Sequence, residues 1–377
     1  MMSASNLQQQ RATRAAFFMP GFAMAAWAPL VPFAKARAGL DEATLGLVLL
    51  CLGGGSLVAM PLAGALVAHH GCRRVMVAAS VLMCLALPLL ALVPGAVALA
   101  VVLALFGAAV GAMDCAMNIQ AVAVERESGR TLMSGFHAFY SIGGFAGALA
   151  FTVLLAMGTP PWLACVAAVA LLGLLLAASV RGWRGGHEGR GGPAFAVPHG
   201  IVLLVGAVCF VVFLAEGAML DWGAVFLAEW RGVDPARAGA GYVAFSLAMT
   251  VCRLLGDRVV EALGRMRTVA GGALVAFVGF AVLALVPSPW IALAGFALVG
   301  VGCSNIVPVM FSLAGRQRAM PEGLAVAAIS TLGYAGVLAG PALIGFIAHG
   351  TTLVFALLCV AVAVLAVALT PRWLRNL

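Results

Sequence analysis

The chain has 377 residues, 64% of them hydrophobic and only 9% charged, with a mean hydropathy of +1.12 and a net charge of +8. A water-soluble domain carries about 25% charged residues to coat its surface, so a soluble globule is excluded. Apolar runs of about 20 residues, enough to cross a ~30 Å hydrocarbon core, recur along the whole length. They lack the alternation of a barrel, and helices satisfy every backbone group internally, which gives an all-α membrane protein. The arginines lie in small groups between the runs, without the stripe and interleaved aromatics of a nucleic-acid surface. Nine cysteines, an odd number without a C-x-x-C pair, read as free thiols rather than as a disulfide framework or a metal site.

Twelve spanning helices are expected. The first covers Ala15–Ala34. Ala34-Lys35-Ala36 has the form of a signal-peptidase site, but the stretch is longer than a signal core and holds Pro20, Pro29 and Pro32, so it is read as a retained helix. The next five cover Ala43–Ala68, Val75–Val93, Val97–Val124, Leu132–Met157 and Trp162–Val180. The last six cover Ile201–Ala228, Ala238–Val260, Val269–Val286, Ile291–Ala314, Leu324–Ala348 and Leu353–Leu369. Turn chemistry and charge separate them, as at His69-His70-Gly71, Pro94-Gly95 and Pro160-Pro161. Two six-helix parts, 1–181 and 200–377, flank a Gly/Arg-rich linker at 182–199. With the amino terminus inside, most arginines fall on the cytoplasmic side and only Lys35, Arg37, Arg231 and Arg237 outside. Both termini are therefore expected in the cytoplasm of a bacterial inner membrane.

The two parts repeat. Gly39-Leu40-Asp41 and Gly232-Val233-Asp234 are 193 apart (234 − 41), and the same lag pairs Gly71 with Gly264, Arg74 with Arg267, Gly143 with Gly336 and Gly147 with Gly340. Two pseudo-symmetric six-helix bundles joined by a cytoplasmic loop resemble the major facilitator superfamily. Met113-Asp114-Cys115-Ala116-Met117-Asn118-Ile119-Gln120, Val124-Glu125-Arg126, Ser134-Gly135-Phe136-His137 and Glu216-Gly217-Ala218-Met219-Leu220-Asp221-Trp222 resemble its branch of rhizopine-associated (MosC-like) bacterial membrane proteins. The superfamily's loop motif between helices two and three keeps Gly64, Gly71, Arg73 and Arg74 but has Ala68 where an acid is expected. The second-half equivalent is fuller, with Glu261, Gly264 and Arg265, so the resemblance implies gating contacts that rest more on that half.

Ionised side chains in the bilayer core cost roughly 2.5–3.5 kcal/mol each on insertion scales. Asp114, Glu216 and Asp221 together therefore cost on the order of 8–10 kcal/mol before pairing, comparable to the ~5–15 kcal/mol stability of an ordinary domain. Asp114, with Asn118 one turn on, and Glu216 are candidates for solute binding or proton coupling; a structural acid held by a neighbouring helix is the bland alternative. His137 could pair with Asp114, Asn305 could line a cavity with them, and Trp27, Tyr140 and Trp222 could stack on a sugar-like ring, although packing is the commoner role of such aromatics. Arg253 and Asp257, four apart, read as an ion pair at a gate. Asp41 and Asp234 read as helix N-caps, the latter with Pro235 at the first helical position. Gly143-x-x-x-Gly147 and Gly336-x-x-x-Gly340 read as close helix packing.

These residues point to a secondary transporter of a small polar solute, sugar- or inositol-like, driven by protons through alternating access. The expected partners are the solute, protons and membrane lipid, for a monomer without cofactor. The sole lysine, Lys35, has no glycine before it, so no phosphate-binding loop exists to use ATP directly. A proton-driven exporter of amphipathic compounds is the competing reading, weakened because Gly147 is followed by Ala148 where drug antiporters of the superfamily carry a Gly-Pro. An intramembrane protease, with Ser134 and His137 or Asp114 and Asp257 as a dyad, lacks the flanking glycines of such sites. A transporter-like sensor has no appended domain to support it.

Overall fold

The computed structural model of the protein describes residues 4–40, 42–186, 197–233 and 240–374. The chain runs through α1 (Ala4–Trp27), one 3-10 turn, α2 (Val31–Ala38), α3 (Glu42–Leu90), α4 (Ala96–Ser128), α5 (Met133–Ala156) and α6 (Pro161–Ser179). It continues through α7 (Ile201–Asp221), α8 (Gly223–Arg231), α9 (Ala240–Leu263), α10 (Arg265–Leu285), α11 (Pro289–Cys303), α12 (Ile306–Ala314), α13 (Glu322–Gly350), α14 (Leu353–Val367) and the short α15 (Pro371–Leu374). No strand occurs among the described residues, and nine of these helical stretches are long and apolar enough to cross a membrane.

One of the nine holds two spans. α3 has 49 residues, about 73 Å of helix at 1.5 Å per residue, more than twice a bilayer core. It breaks at Gly71, whose φ of 78° and ψ of 160° belong to glycine. Gly264, 193 residues on, breaks α9 from α10 with φ 80° and ψ 154°. Gly39 and Gly232, at the same lag, both end their helices at positive φ, 63° and 65°. The repeat seen in the sequence is thus a repeat of backbone conformation. The expected caps at Asp41 and Asp234, with Pro235, lie outside the described residues.

Two spans expected as continuous are broken. The chain kinks at Trp222 between α7 and α8, and at Ser304-Asn305 between α11 and α12. The second break has a local cause. Pro308 lacks an N–H and its ring crowds the carbonyl four residues back, which is that of Ser304. α1 also begins well before the expected Ala15, because Gln10 bonds Asn6 at 2.6 Å and Thr13 bonds the Gln9 carbonyl at 2.8 Å. Polar side chains sustain that first part where hydropathy gave no signal.

Contacts divide the chain into two units: Met1–Arg130 with Phe136–Val197 and Met320–Ala328, and Thr131–Gly135 with Pro198–Ala319 and Ile329–Leu377. In the first, α4 packs on α3 and α1, and α1 packs on α6. The core there includes Phe17, Phe106, Phe136 and Phe151. In the second, α10 packs on α11 and α14, α9 on α11, and α7 on α12 and α14, around Phe226, Phe280, Phe296 and Phe311. The paired glycines do the same work in each unit. A Cβ on Gly143 or Gly147 would collide with the Phe18 or Phe22 carbonyl of α1, and one on Gly336 with the Phe210 carbonyl of α7. Backbone-to-backbone contact of this kind supplies helix association where lipid removes the hydrophobic drive.

Two of the four basic residues expected outside also have repeated structural work. Arg37 donates to the Leu90 and Val93 carbonyls at 2.6 and 3.0 Å, where α3 ends. Arg231 donates to the Leu283 and Ala284 carbonyls at 2.8 and 2.6 Å, where α10 ends. Each satisfies carbonyls that a helix end leaves without partners.

Candidate functional site

The densest buried polar cluster lies in the second unit. Glu216, near the end of α7, faces Arg253 of α9, with Arg253 Nη2 3.3 Å from Glu216 Oε1. Arg253 Nε also donates to the Ser304 carbonyl at 3.1 Å. That carbonyl is the one Pro308 cannot bond, so the break between α11 and α12 creates the acceptor that holds the guanidinium. Asn305, buried at the break, donates to the Cys252 carbonyl at 3.2 Å and to Ser304 Oγ at 2.9 Å. Its Oδ1 has no hydrogen-bond partner among the described residues. Tyr242 of α9 lies within Coulombic reach of Glu216, Arg253 and Asp221. Asp221 is exposed at the last position of α7, and the neighbouring Trp222 has a buried ring N–H without a partner among the described residues.

The cluster joins Glu216 to Asn305 through Arg253 and Ser304. Sequence reading named the first two and placed Arg253 in a gate with Asp257. It missed Ser304 and Tyr242. The available signal was Pro308: a proline inside an apolar run frees the carbonyl four residues earlier, and a freed carbonyl in a membrane needs a donor.

In the first unit Asp114 is half-buried at mid-α4. Asn118, fully buried, donates to the Asp114 backbone carbonyl at 2.9 Å, and its Oδ1 has no partner among the described residues. His137 sits edge-on to Phe17 at 5.1 Å, and Phe17 stacks on Phe136 at 5.8 Å. The carbonyl of Tyr140 abuts Gly21 of α1. Trp27, at the end of α1, is buried, the packing role weighed for it above.

The residues read as gates take diverse partners. Asp257 accepts from the backbone N–H groups of Ser134 and Gly135, both at 3.0 Å, at the start of α5. These are donors that a helix beginning leaves unbonded, and the positive end of the helix dipole favours a carboxylate there. Gly256 beside it has no room for a Cβ, with Asn305 Oδ1 and Ser134 Cβ against it. Reading Arg253 and Asp257 as a pair within one helix overlooks these distant partners. Glu261 is exposed, and Arg265 is half-buried at the first turn of α10. Arg126 of α4 pairs with Glu322 at the start of α13. Arg73 serves the linker: its Nε donates to the Trp183 carbonyl at 2.8 Å, its Nη2 to that of Arg181 at 3.3 Å, and its backbone N–H to that of Arg184 at 2.8 Å. Arg74 is exposed.

The sequence pattern of the Major Facilitator Superfamily matches residues 15–220. An uncharacterized MFS-type transporter of Yersinia pestis is 53% identical over 367 residues, 97% of this chain and 96% of that protein. The membrane protein MosC of Rhizobium meliloti is 34% identical over 349 residues, 91% of this chain and 84% of that protein. Among solved structures, the E. coli fucose:proton symporter FucP has a TM-score of 0.81 at 17% identity, covering 98% of this chain and 99% of that one. The proton:xylose symporter XylE has a TM-score of 0.74 at 14% identity, covering 98% and 96%.

Proposed function

Since this chain belongs to the major facilitator superfamily and is a multi-pass transporter of twelve helices in two six-helix bundles, we propose that it moves a small polar solute with protons, using the Glu216–Arg253 pair as its coupling element. The observation that carries this reading is the pair itself, a carboxylate and a guanidinium 3.3 Å apart beside the unpartnered acceptor of Asn305. Two proteins of the same fold, FucP and XylE, are described as sugar:proton symporters, which supports a polyhydroxylated solute.

The chemistry follows from the contacts. Ionised Glu216 holds Arg253. Burial disfavours a charged group and an opposite charge favours it, so the carboxylate and guanidinium hold one another ionised. A solute hydroxyl that takes Arg253 as its donor removes that support from Glu216, which then takes up a proton and donates as a carboxylic acid. Asn305 Oδ1 and the Trp222 ring N–H offer one further acceptor and one further donor, the complement a hydroxylated ring requires. Asp114 and Asn118 give the first half its own acid and amide. Transport further requires that helix-end contacts break and reform, and the capping of α5 by Asp257 and the Arg126–Glu322 pair are the contacts assigned to that step.

The test has two stages. A thermal-shift screen of purified protein against sugars, inositols, amino acids and amphipathic drugs identifies a ligand, since a ligand at a hundredfold over its dissociation constant adds ~2.7 kcal/mol of apparent stability. Proteoliposomes with an imposed pH gradient then measure accumulation. Glu216→Gln is expected to abolish uphill accumulation while solute-for-solute exchange, which moves no net proton, survives in part. Asp114→Asn is run beside it. If both variants accumulate solute as the wild type does, neither acid couples protons and the proposal fails. Stabilisation by drugs alone favours the exporter.

A further inference from the structure

We infer that the cavity at the start of α10 binds the phosphate headgroup of an anionic membrane lipid. The cavity is about 310 Å³ and is lined by Leu263, Gly264, Arg265, Met266, Arg267, Leu313, Arg316 and Leu374. Three of its eight lining residues are arginines and none is an acid. The nearest acid in sequence, Glu261, is exposed on the preceding turn and is not part of the wall.

Arginines at this end of the helices are expected from topology alone, so their number proves nothing. Their convergence on one cavity is different, because three guanidinium groups sharing a space repel one another unless an anion joins them. The repeat shows what the equivalent place accepts. Gly71 and Arg74 of the first half correspond to Gly264 and Arg267 by the 193-residue lag. There, Arg73 donates to the carbonyls of Trp183 and Arg181, and Gly71 lies against the Gly186 carbonyl. Backbone oxygens of the linker fill that place. In the second half the described chain past α14 brings the side chain of Leu374 instead, leaving the guanidinium groups facing a cavity.

The walls select a lipid over a free anion. Leu263, Met266, Leu313 and Leu374 give inorganic phosphate nothing, but they suit the glycerol and first methylenes of a phospholipid. Leu263 is 51% exposed, and Trp373, next to Leu374, is 53% exposed with Arg372 over its ring. Tryptophan and arginine in this arrangement are typical of headgroup depth. Basic pockets between membrane helices on the cytoplasmic side are suited to anionic headgroups.

The purified protein in neutral detergent is titrated with short-chain phosphatidylglycerol, short-chain phosphatidylcholine or inorganic phosphate while thermal unfolding is followed. Phosphatidylglycerol is expected to raise the unfolding temperature, and phosphatidylcholine to leave it unchanged. Combined Arg265→Gln, Arg267→Gln and Arg316→Gln should weaken the phosphatidylglycerol response by about a hundredfold, the factor three cations supply at an anionic surface. A control with Arg74→Gln, Arg181→Gln and Arg258→Gln should stay within about twofold of wild type, since those side chains do not line the cavity. The inference is overturned if the triple variant responds as wild type, if the control loses as much, or if inorganic phosphate matches phosphatidylglycerol at equal concentration. Should the glutamine variant fail to fold, native mass spectrometry of the wild-type protein in mixed lipid decides: retained phosphatidylglycerol that phosphatidylethanolamine displaces at equal concentration also overturns it.

Discussion

The Glu216–Arg253 pair lends itself to a double-mutant cycle whose outcome follows from its burial. The side chains are 8% exposed for Arg253 and 20% for Glu216, so neither ion regains full hydration when its partner is removed. Breaking one partner of such a pair costs about 3–5 kcal/mol, because a buried charge is left uncompensated. Arg253→Met should sit in that range, since it strands the carboxylate and also orphans the Ser304 carbonyl that Arg253 reaches at 3.1 Å. Glu216→Gln should cost less, about 1–3 kcal/mol, because the amide oxygen remains an acceptor and Ser304 still holds the guanidinium. The double variant, with neither charge, should recover about 2–3 kcal/mol of the summed losses. The Arg126–Glu322 pair supplies a contrast. Its side chains are 56% and 23% exposed, and its coupling should stay below about 1 kcal/mol. Chemical unfolding in mixed micelles reads all of these. If the Glu216 and Arg253 losses are additive within about 0.5 kcal/mol, the pair carries no mutual stabilisation, and a coupling role built on its making and breaking has no energetic basis.

Removing the α5 cap with Asp257→Ala should cost about 2–4 kcal/mol and Asp257→Asn about half of that, since the amide keeps one acceptor. Hydrogen exchange at the amides of Ser134 and Gly135 should accelerate in step, and unchanged exchange would remove Asp257 from the gate. Gly143→Leu should destabilise by at least ~1–3 kcal/mol through its clash with the Phe18 carbonyl. Gly54→Ala, with nothing within 4 Å of an added Cβ, should stay within about 1 kcal/mol of wild type in the same unfolding assay. Reporter fusions after Arg190 and after Leu377 should both report cytoplasm, and a periplasmic signal from either overturns the orientation.

Much of the fold was legible because membrane helices announce themselves by length and apolar content. The 193-residue lag was legible for a related reason. Gly71 and Gly264 must adopt positive φ, and Gly143, Gly147 and Gly336 must admit a carbonyl where a Cβ would stand, so replacement at any of them has a steric cost. The helix breaks were not legible. Trp222 and Ser304-Asn305 lie inside runs whose hydropathy is continuous, and a window that averages apolar content passes over a kink caused by one ring at Pro308. The acids and the amide of the cluster were visible individually, because charge in an apolar run is expensive wherever it lies. Their grouping was not. Glu216, Arg253 and Ser304 come from three separate stretches of chain, and only tertiary packing sets Arg253 against Glu216 as well as near its own helix neighbour Asp257.

The two halves share a backbone plan while dividing its chemistry unequally. Between the two spans of α3, Ala68 replaces the expected acid and Arg73 is committed to linker carbonyls, so this loop holds the linker rather than offering an acid to another helix end. In the second half the expected acid, Glu261, is present but exposed. The capping role falls one turn earlier, to Asp257, whose two oxygens each accept a backbone N–H of α5 at 3.0 Å. Two charge-assisted bonds of this kind are individually worth about 1.5–3 kcal/mol, whereas the exposed Arg126–Glu322 pair is worth at most about 1 kcal/mol. The energetic weight of the helix-end contacts therefore rests on Asp257. Arg253, one turn before it on α9, holds Glu216. A change in the protonation of Glu216 thus acts on the same helix face that caps α5, and a shift of α9 by even an ångström would lengthen both Asp257 bonds beyond useful hydrogen-bond range. In this arrangement four residues of one helix connect the proposed proton site to the strongest of the contacts that transport must break.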